Sequence, residues 1–139
     1  MKVMDLGRFD LFHGGGATHG IVIGSPHGNY DEYTAELAQQ ISHDARLPAV
    51  IATGFTPTEP AGWRINVNRP TEKSYLAPEF EIDSQRSQDV YRTFKDLVFK
   101  AARGELALYF DIHQYGGRHI QVATVGTGQR DQKELSKNP

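Results

Sequence analysis

The stretch that decides the fold is residues 21–41, "IVIGSPHGNYDEYTAELAQQI". It opens on a β-branched run that breaks at a Gly-Ser-Pro turn, and a histidine, His27, follows directly. Such a run favours a buried strand, which we place at 20–24. From Asp31 to Ala45 the apolar residues recur at helical spacing, which predicts an amphipathic helix. The stretch therefore predicts a strand, a turn and a helix, with His27 at the carboxyl end of the strand.

The flanking sequence continues this alternation of strands and helices. Further strands are predicted at 11–12, 49–53, 106–113 and 119–125. A second helix is predicted to begin at Asp83 or Ser84 and to stop at Gly104, with an apolar face of Val90, Phe94, Leu97, Val98, Ala101 and Ala102. Residues 54–82 are rich in proline and lack a period, so we expect a long irregular segment of functional importance. This order predicts one α/β domain over residues 1–139, with a mostly parallel or mixed sheet flanked by helices.

Composition narrows the possible functions. A chain of 139 residues can bury a core as one domain, and its net charge of -2 gives no electrostatic reason to bind nucleic acid or an acidic membrane. The chain has no cysteine, so a metal would have to be bound by His, Asp or Glu. No apolar run approaches the roughly 20 residues of a membrane span, and the N-terminus lacks the apolar core of a signal peptide. A cytoplasmic protein is expected, and its oligomeric state stays open.

The first candidate site combines His27 with Glu32. His27 lies just past a strand end, where open α/β sheets place their ligands, and Glu32 falls in the first turn of the predicted helix. The two side chains can therefore converge on one metal ion. The alternative is a capping box, with Asn29 as the N-cap and Glu32 as the residue that reaches back to it. The residues alone favour the cap.

The second candidate site is the segment "FDIHQYGG", residues 110–117. Asp111 and His113 alternate at the end of an apolar strand, so they face the same side of the sheet. His113 by itself also fits a structural histidine. Two strand-terminal histidines and a glutamate, however, form a known catalytic zinc set with an open fourth position. Asp111 would then be a carboxylate that bridges to the metal or orients a ligand.

The third candidate is "WRINVNRP", residues 63–70. Asn68 and Arg69 place an amide beside a guanidinium, which suits bidentate binding of a substrate carboxylate. Arg64 is a possible donor to a developing oxyanion. The alternative is that these arginines are solvent-exposed loop residues.

Together these motifs resemble the N-formylglutamate amidohydrolase family, which is related to zinc carboxypeptidases and poly-γ-glutamate hydrolases. The resemblance lies in the order of four short motifs between residues 20 and 125: "SPHG", "DEYTAELAQQI", "NVNRPTE" and "DIH". It implies a zinc-peptidase (phosphorylase/hydrolase-like) architecture, and it favours the ligand role of Glu32 over the cap.

The resemblance also implies an activity and the residues that carry it. The zinc ligands become His27, Glu32 and His113, and Arg69 with Asn68 becomes the anchor for the carboxylate of a small-molecule or short-peptide substrate. Zinc would polarise the scissile amide carbonyl and activate water for the attack. The implied activity is a zinc-dependent amidohydrolase of N-formylglutamate-like compounds. A zinc metallocarboxypeptidase would use the same site.

The general base is the point at which the sequence departs from this pattern. In carboxypeptidase-like enzymes a glutamate well downstream of the second histidine takes this role. Here 26 residues follow His113, from 114 to 139, and their sole glutamate is Glu134. Glu134 is therefore the candidate catalytic base, and the long loop offers Glu72, Glu79 and Glu81. Three explanations stay open: a base from an unusual place, a truncated chain, or a metal- or carboxylate-binding domain without efficient catalysis.

Overall fold

The computed structural model of the chain describes residues 2–3, 7–55, 62–74, 76–77, 79–115 and 119–126. Its strands are β1 (Lys2–Val3), β2 (Gly7–Phe12), β3 (Ile21–Ser25), β4 (Ala49–Thr53), β5 (Trp63–Ile65), β6 (Thr71–Ser74), β7 (Glu81–Asp83), β8 (Leu108–Tyr115) and β9 (His119–Gly126). Its helices are α1 (Thr34–Ala45) and α2 (Gln85–Ala102). The predicted strands and helices are therefore confirmed, although several boundaries shift.

The main sheet has six strands in the order β1-β2-β4-β3-β8-β9. Strand β3 pairs in parallel with β4 and with β8, while the outer pairs are antiparallel. The prediction of an α/β fold with a mixed sheet is thus confirmed. Since α1 joins β3 to β4 and the chain later returns to the other side of β3, the strand order reverses around β3. Open α/β sheets bind ligands at the carboxyl ends of the strands at such a point.

The two helices cover opposite faces of this sheet. Successive residues of a strand point to opposite faces, and the core divides accordingly. Val22 and Val50 belong to the cluster that contains Phe94 of α2, whereas Ile23 and Ile51 belong to the cluster that contains Ala38 of α1. Both faces of β3 and β4 are therefore buried, which explains their continuous apolar runs.

Helix α2 begins where the sequence predicted. Ser84 is its N-cap, and the Ser84 side chain accepts a hydrogen bond from the backbone N–H of Ser87. At the other end, Arg103 adopts the left-handed conformation just before Gly104. The expected apolar face is confirmed, because Val90, Phe94, Val98, Ala101 and Ala102 are buried and Leu97 packs against them. In the described parts of the chain, no helix has the length and apolarity to cross a membrane.

The prediction of an irregular segment at 54–82 is wrong from residue 63 onward. There the chain forms a three-stranded antiparallel sheet in the order β5-β6-β7. Residues 63–67 do alternate apolar and polar types, but β6 is wholly polar and β5 and β7 have three residues each, so the pattern is too short to predict a sheet. Ile65 and Val67 bury their side chains in the cluster on the α2 face, which attaches the small sheet to the main one.

Candidate functional site

The two histidines of the predicted metal site come together at the carboxyl ends of neighbouring parallel strands. His27 follows β3, and His113 lies in β8 two residues past the register pair Gly24–Asp111. Their ring centroids are 5.2 Å apart. Because β3 and β8 run in parallel side by side, both side chains reach the same edge of the sheet. The structure thus brings together His27 and His113, which are far apart in sequence.

The turn after His27 is held by the backbone. The N–H groups of Tyr30 and Asp31 both donate to the His27 carbonyl, at 2.9 and 2.8 Å. The N–H of Gly28 donates to the Ala52 carbonyl at 2.9 Å, an approach so close that a Cβ at position 28 would lie 2.9 Å from that oxygen. Glycine at this position therefore lets the turn pack against β4.

The capping box predicted as the alternative role of Glu32 is wrong. Helix α1 begins at Thr34, three residues later than predicted, and its N-cap is Tyr33, which makes no side-chain cap hydrogen bond. Asn29 instead accepts a hydrogen bond from the N–H of Gly54 at 3.1 Å. Glu32 therefore precedes the helix and cannot occupy the third helical position. Its backbone N–H donates to Oε1 of Gln114 at 2.7 Å, which fixes the turn next to His113.

Asp31 is the acidic residue that enters the site. It is 7% exposed, and its Oδ2 lies 3.1 Å from Nδ1 of His113. Its backbone carbonyl accepts from the hydroxyl of Thr34, which in turn accepts from Ser25 of β3. These contacts hold the Asp31 carboxylate beside the histidines, whereas the neighbouring Glu32 is exposed.

Asp111 contacts the other nitrogen of the same imidazole. Its Oδ2 lies 3.0 Å from Nε2 of His113, which confirms that the two residues face the same side of β8. The hydroxyl of Tyr109 donates to Oδ1 of Asp111 at 3.3 Å. The imidazole of His113 is thus held between two buried carboxylates, those of Asp31 and Asp111.

The small sheet supplies the wall opposite the histidines. In the turn between β5 and β6, the Asn68 amide lies 3.4 Å from Nε2 of His113. On β5, the guanidinium carbon of Arg64 stands 3.9 Å above the ring centre of Tyr30. Arg64, Tyr30 and His27 line one small cleft. Two of the three residues singled out in "WRINVNRP" therefore lie at the site.

The two histidines differ in basicity. Burial lowers the pKa of His27 to about 4, an effect that the nearby Asp31 opposes and that the positive charges of His113 and Arg64 reinforce. The hydrogen bond that the Asp111 carboxylate accepts from His113 is the main cause that raises the pKa of His113, and Asp31 acts in the same direction. Near neutral pH His27 is consequently an uncharged imidazole, which is the form that binds metals.

The donor types and their pairwise spacing fit zinc. With bonds of about 2.0–2.1 Å and tetrahedral geometry, two imidazole ring centres on one ion are roughly 5 Å apart, and two donor atoms are roughly 3.3 Å apart. The ring centres of His27 and His113 are 5.2 Å apart, and Nδ1 of His113 lies 3.1 Å from Asp31. As the side chains stand, no three His, Asp or Glu residues of the described segments are arranged to hold a metal. The fit therefore rests on pairs of donors.

Of the remaining predicted site residues, Arg69 does not join the cluster around the histidines. Arg69 is exposed at the turn after Asn68, where its backbone N–H donates to the Asn66 carbonyl. Glu134 lies outside the described residues. Of the other candidate bases, Glu72 is engaged by Arg86, and Glu81 accepts from Thr71 and Asn66. Both of these carboxylates are therefore part of the small sheet's own hydrogen bonding.

Sequence reasoning treated Asp31 only as the nearest substitute ligand if Glu32 were a cap, and it did not place Tyr30 at the site. The signal for Asp31 was its position four residues after His27, which brings it back onto the His27 carbonyl once the turn closes. The signal for Tyr30 was an aromatic residue in a turn that is otherwise polar. No family model, curated protein or solved structure matches this chain.

Proposed function

We propose that this chain is a zinc-dependent hydrolase that cleaves an amide bond in a small N-acyl or γ-linked amino acid with a free carboxylate. The observation that carries the proposal is the convergence of His27, His113 and Asp31 at the carboxyl ends of β3 and β8. Two imidazoles and a carboxylate are the donor set of catalytic zinc sites that keep one position open. The resemblance to N-formylglutamate amidohydrolases favours the same class of reaction and the zinc-peptidase architecture.

For the third ligand, placement favours Asp31 over the predicted Glu32. Asp31 is buried and contacts His113, and its charge acts on His27, whereas Glu32 is exposed. A ligand needs its carboxylate directed at the ion, and a buried, fixed carboxylate loses less conformational freedom when it binds. We therefore assign the metal site to His27, Asp31 and His113, and keep Glu32 as the competing third ligand.

The surrounding residues have distinct roles in this proposal. When bound, zinc polarises the scissile carbonyl and lowers the pKa of water from about 15.7 towards 7. Asp111 orients His113 through Nε2, which leaves Nδ1 for the metal. Asn68 contacts the His113 imidazole and helps to hold its orientation. The proton acceptor predicted from sequence, Glu134, keeps that role as a hypothesis.

Two other functions use the same residues. A metallocarboxypeptidase would bind the terminal carboxylate of a peptide through Arg64 and Asn68 of the same wall. A binding domain without efficient catalysis would hold zinc or a carboxylate with these residues and turn nothing over. The two enzymes need a proton acceptor at the site, and the binding domain does not. The presence of such a residue therefore separates this last function from the two enzymes.

The decisive experiment measures zinc content and hydrolysis in the same preparations. We expect about one zinc per chain, and faster hydrolysis of N-formylglutamate than of a hippuryl peptide. His27→Ala should lose both the zinc and the activity and keep its circular dichroism spectrum. His43→Ala is the matched control, because His43 is an exposed histidine of α1 that pairs with Asp44. Wild-type protein that binds no zinc would contradict the proposal, and zinc without hydrolysis would favour the binding domain.

A further inference from the structure

Arg64 and Tyr30 form a cation–π contact, whereas His113 contacts Asp31, Asp111 and Asn68 through polar atoms. The guanidinium carbon of Arg64 lies 3.9 Å from the centre of the Tyr30 ring, well within the roughly 6 Å of a cation–π interaction. Tyr30 is 47% exposed, and it belongs to the backbone-held turn that also carries His27 and Asp31. The ring therefore links an arginine of the small sheet to the turn of the main sheet.

Arg64 differs from three other arginines of the chain in what it pairs with. Arg8, Arg86 and Arg92 form ion pairs with Asp10, Glu72 and Asp89. Within the described segments, no carboxylate lies in ion-pair distance of Arg64. An aromatic face holds a guanidinium without using its N–H donors, and all five donors are therefore left for a ligand.

The location of this charge is also particular. Arg64 lines the same small cleft as His27. Half-buried in the wall, it holds a positive charge a short distance from the proposed reaction centre. An anionic group of a substrate that enters beside His27 would meet this guanidinium.

We infer that Arg64, held on the face of Tyr30, binds the substrate's carboxylate, and that Tyr30 is the positioning residue that sets this specificity. The inference deepens the proposed function and rests on it only for the type of substrate. It moves the carboxylate anchor from Arg69, which is exposed at a turn, to an arginine inside the cleft. Arg64 then recognises the substrate in its ground state, in place of the predicted oxyanion role.

The first test uses binding, not turnover. N-acetylglutamate and its two monoamides are titrated into metal-free protein by calorimetry, which shows which carboxylate is recognised. We expect wild type to prefer the diacid over one monoamide by about tenfold or more, the scale of a charge-assisted hydrogen bond. Arg64→Gln should lose that preference, and Arg69→Gln should keep it. If Arg69→Gln loses the preference for the diacid and Arg64→Gln keeps it, Arg69 is the carboxylate anchor and the inference is wrong.

The second test separates positioning from folding. Tyr30→Leu should weaken the affinity for the diacid several-fold and leave the affinity for the monoamide unchanged. Tyr30→Phe should bind the diacid as wild type does, because only the ring face is needed. Tyr33→Leu is the matched control, an exposed tyrosine of the same turn. Equal losses in Tyr30→Leu and Tyr30→Phe would refute the role of the ring.

The outcomes also distinguish this inference from the proposed function. Binding that depends on Arg64 in a protein without zinc or hydrolysis would support the inference and refute the enzyme. Hydrolysis of N-formylglutamate with unchanged KM in Arg64→Gln would support the enzyme and refute the inference.

Discussion

The two sheets of this protein are stabilised in different ways. The main sheet buries apolar side chains on both faces, and Val22, Val50 and Ile23 are at most 1% exposed. In the small sheet every residue of β7 is exposed, and its most buried strand residues include a carboxylate, Glu72, at 2%. The first sheet follows from patterns of apolar residues, and the second depends on polar side chains that find specific partners.

Polar contacts tie the small sheet together and join it to α2. Glu72 of β6 accepts hydrogen bonds from Arg86 and from Ser84, the N-cap of α2. Glu81 of β7 accepts from Thr71 and Asn66. Such pairs are directional and lose their value when one partner is missing, whereas apolar burial scales with area. Substitutions of apolar side chains should therefore lower the free energy of unfolding most in the main sheet, and substitutions of polar partners should lower it most in the small sheet.

The largest expected effect comes from the core of the main sheet. Phe9 packs against Phe55 and Phe94, with ring centroids 4.9 and 5.8 Å away. Phe9→Ala should lower the free energy of unfolding by about 3–5 kcal/mol in urea titrations, through lost burial and a cavity. Ile82→Ala in β7 should cost under about 0.5 kcal/mol, because Ile82 is 47% exposed. Similar losses in both variants would remove the contrast between the sheets.

The next effect tests the polar link. Arg86→Gln leaves the Glu72 carboxylate buried without its cation, and it should cost about 2–3 kcal/mol of unfolding free energy. The value is below that of a fully buried pair, because the Arg86 side chain is 40% exposed and water can reach its partner. Arg92→Gln, at an exposed pair of the same helix, is the control and should cost under about 1 kcal/mol.

The same link predicts how stability depends on pH. The hydrogen bond and charge of Arg86 lower the pKa of Glu72 below its ordinary 4.5. The unfolded chain therefore takes up this proton at a higher pH than the folded one, so the stabilisation is present above about pH 4.5 and is lost as pH falls through the folded pKa. Urea titrations of wild type and Glu72→Gln should differ most at neutral pH and converge in acid. A difference that grows in acid would contradict this assignment.

A smaller effect is expected at the site, where both sheets contribute. Asp31→Asn should weaken zinc binding by tenfold or more, about 1.4 kcal/mol, since a neutral amide is a poor zinc ligand. Glu32→Gln should leave the affinity unchanged. Competition titrations with a chelator measure both. A loss of zinc affinity in Glu32→Gln and none in Asp31→Asn would make Glu32 the third ligand, as the family resemblance implied.

The smallest effect concerns the turn from the main sheet into α1. Tyr33 adopts the left-handed conformation, with φ of 63°, at the N-cap of the helix. Asparagine tolerates this conformation and offers a side-chain acceptor for the helix N-terminus, so Tyr33→Asn should stabilise the protein by about 0.5–1 kcal/mol. Thermal unfolding would show this as a higher Tm. A lower Tm would indicate that the tyrosine ring contributes stability of its own.

By itself the sequence determined most strands of the main sheet, though not β1 or the strand order, together with both helices and the two histidines. The runs in β3 and β4 are apolar on both faces, and the spacing in α2 places Val90, Phe94 and Val98 on one side, so local composition specifies these elements. His27 and His113 follow from the same logic, because each comes at the end of an apolar strand. Parallel pairing then brings such ends to one edge.

Only the tertiary structure decided which acidic residue and which arginine enter the site. Asp31 and Glu32 are neighbours in sequence. Which of their side chains lies beside the histidines depends on how the turn closes onto the His27 carbonyl and on the start of α1 at Thr34. Arg64 lies on β5, whose alternation of apolar and polar residues is visible in the sequence, but the pairing of β5 with β6 has no local signal. Side-chain direction in turns and short strands is set by contacts between residues distant in sequence, and a single sequence does not record those contacts.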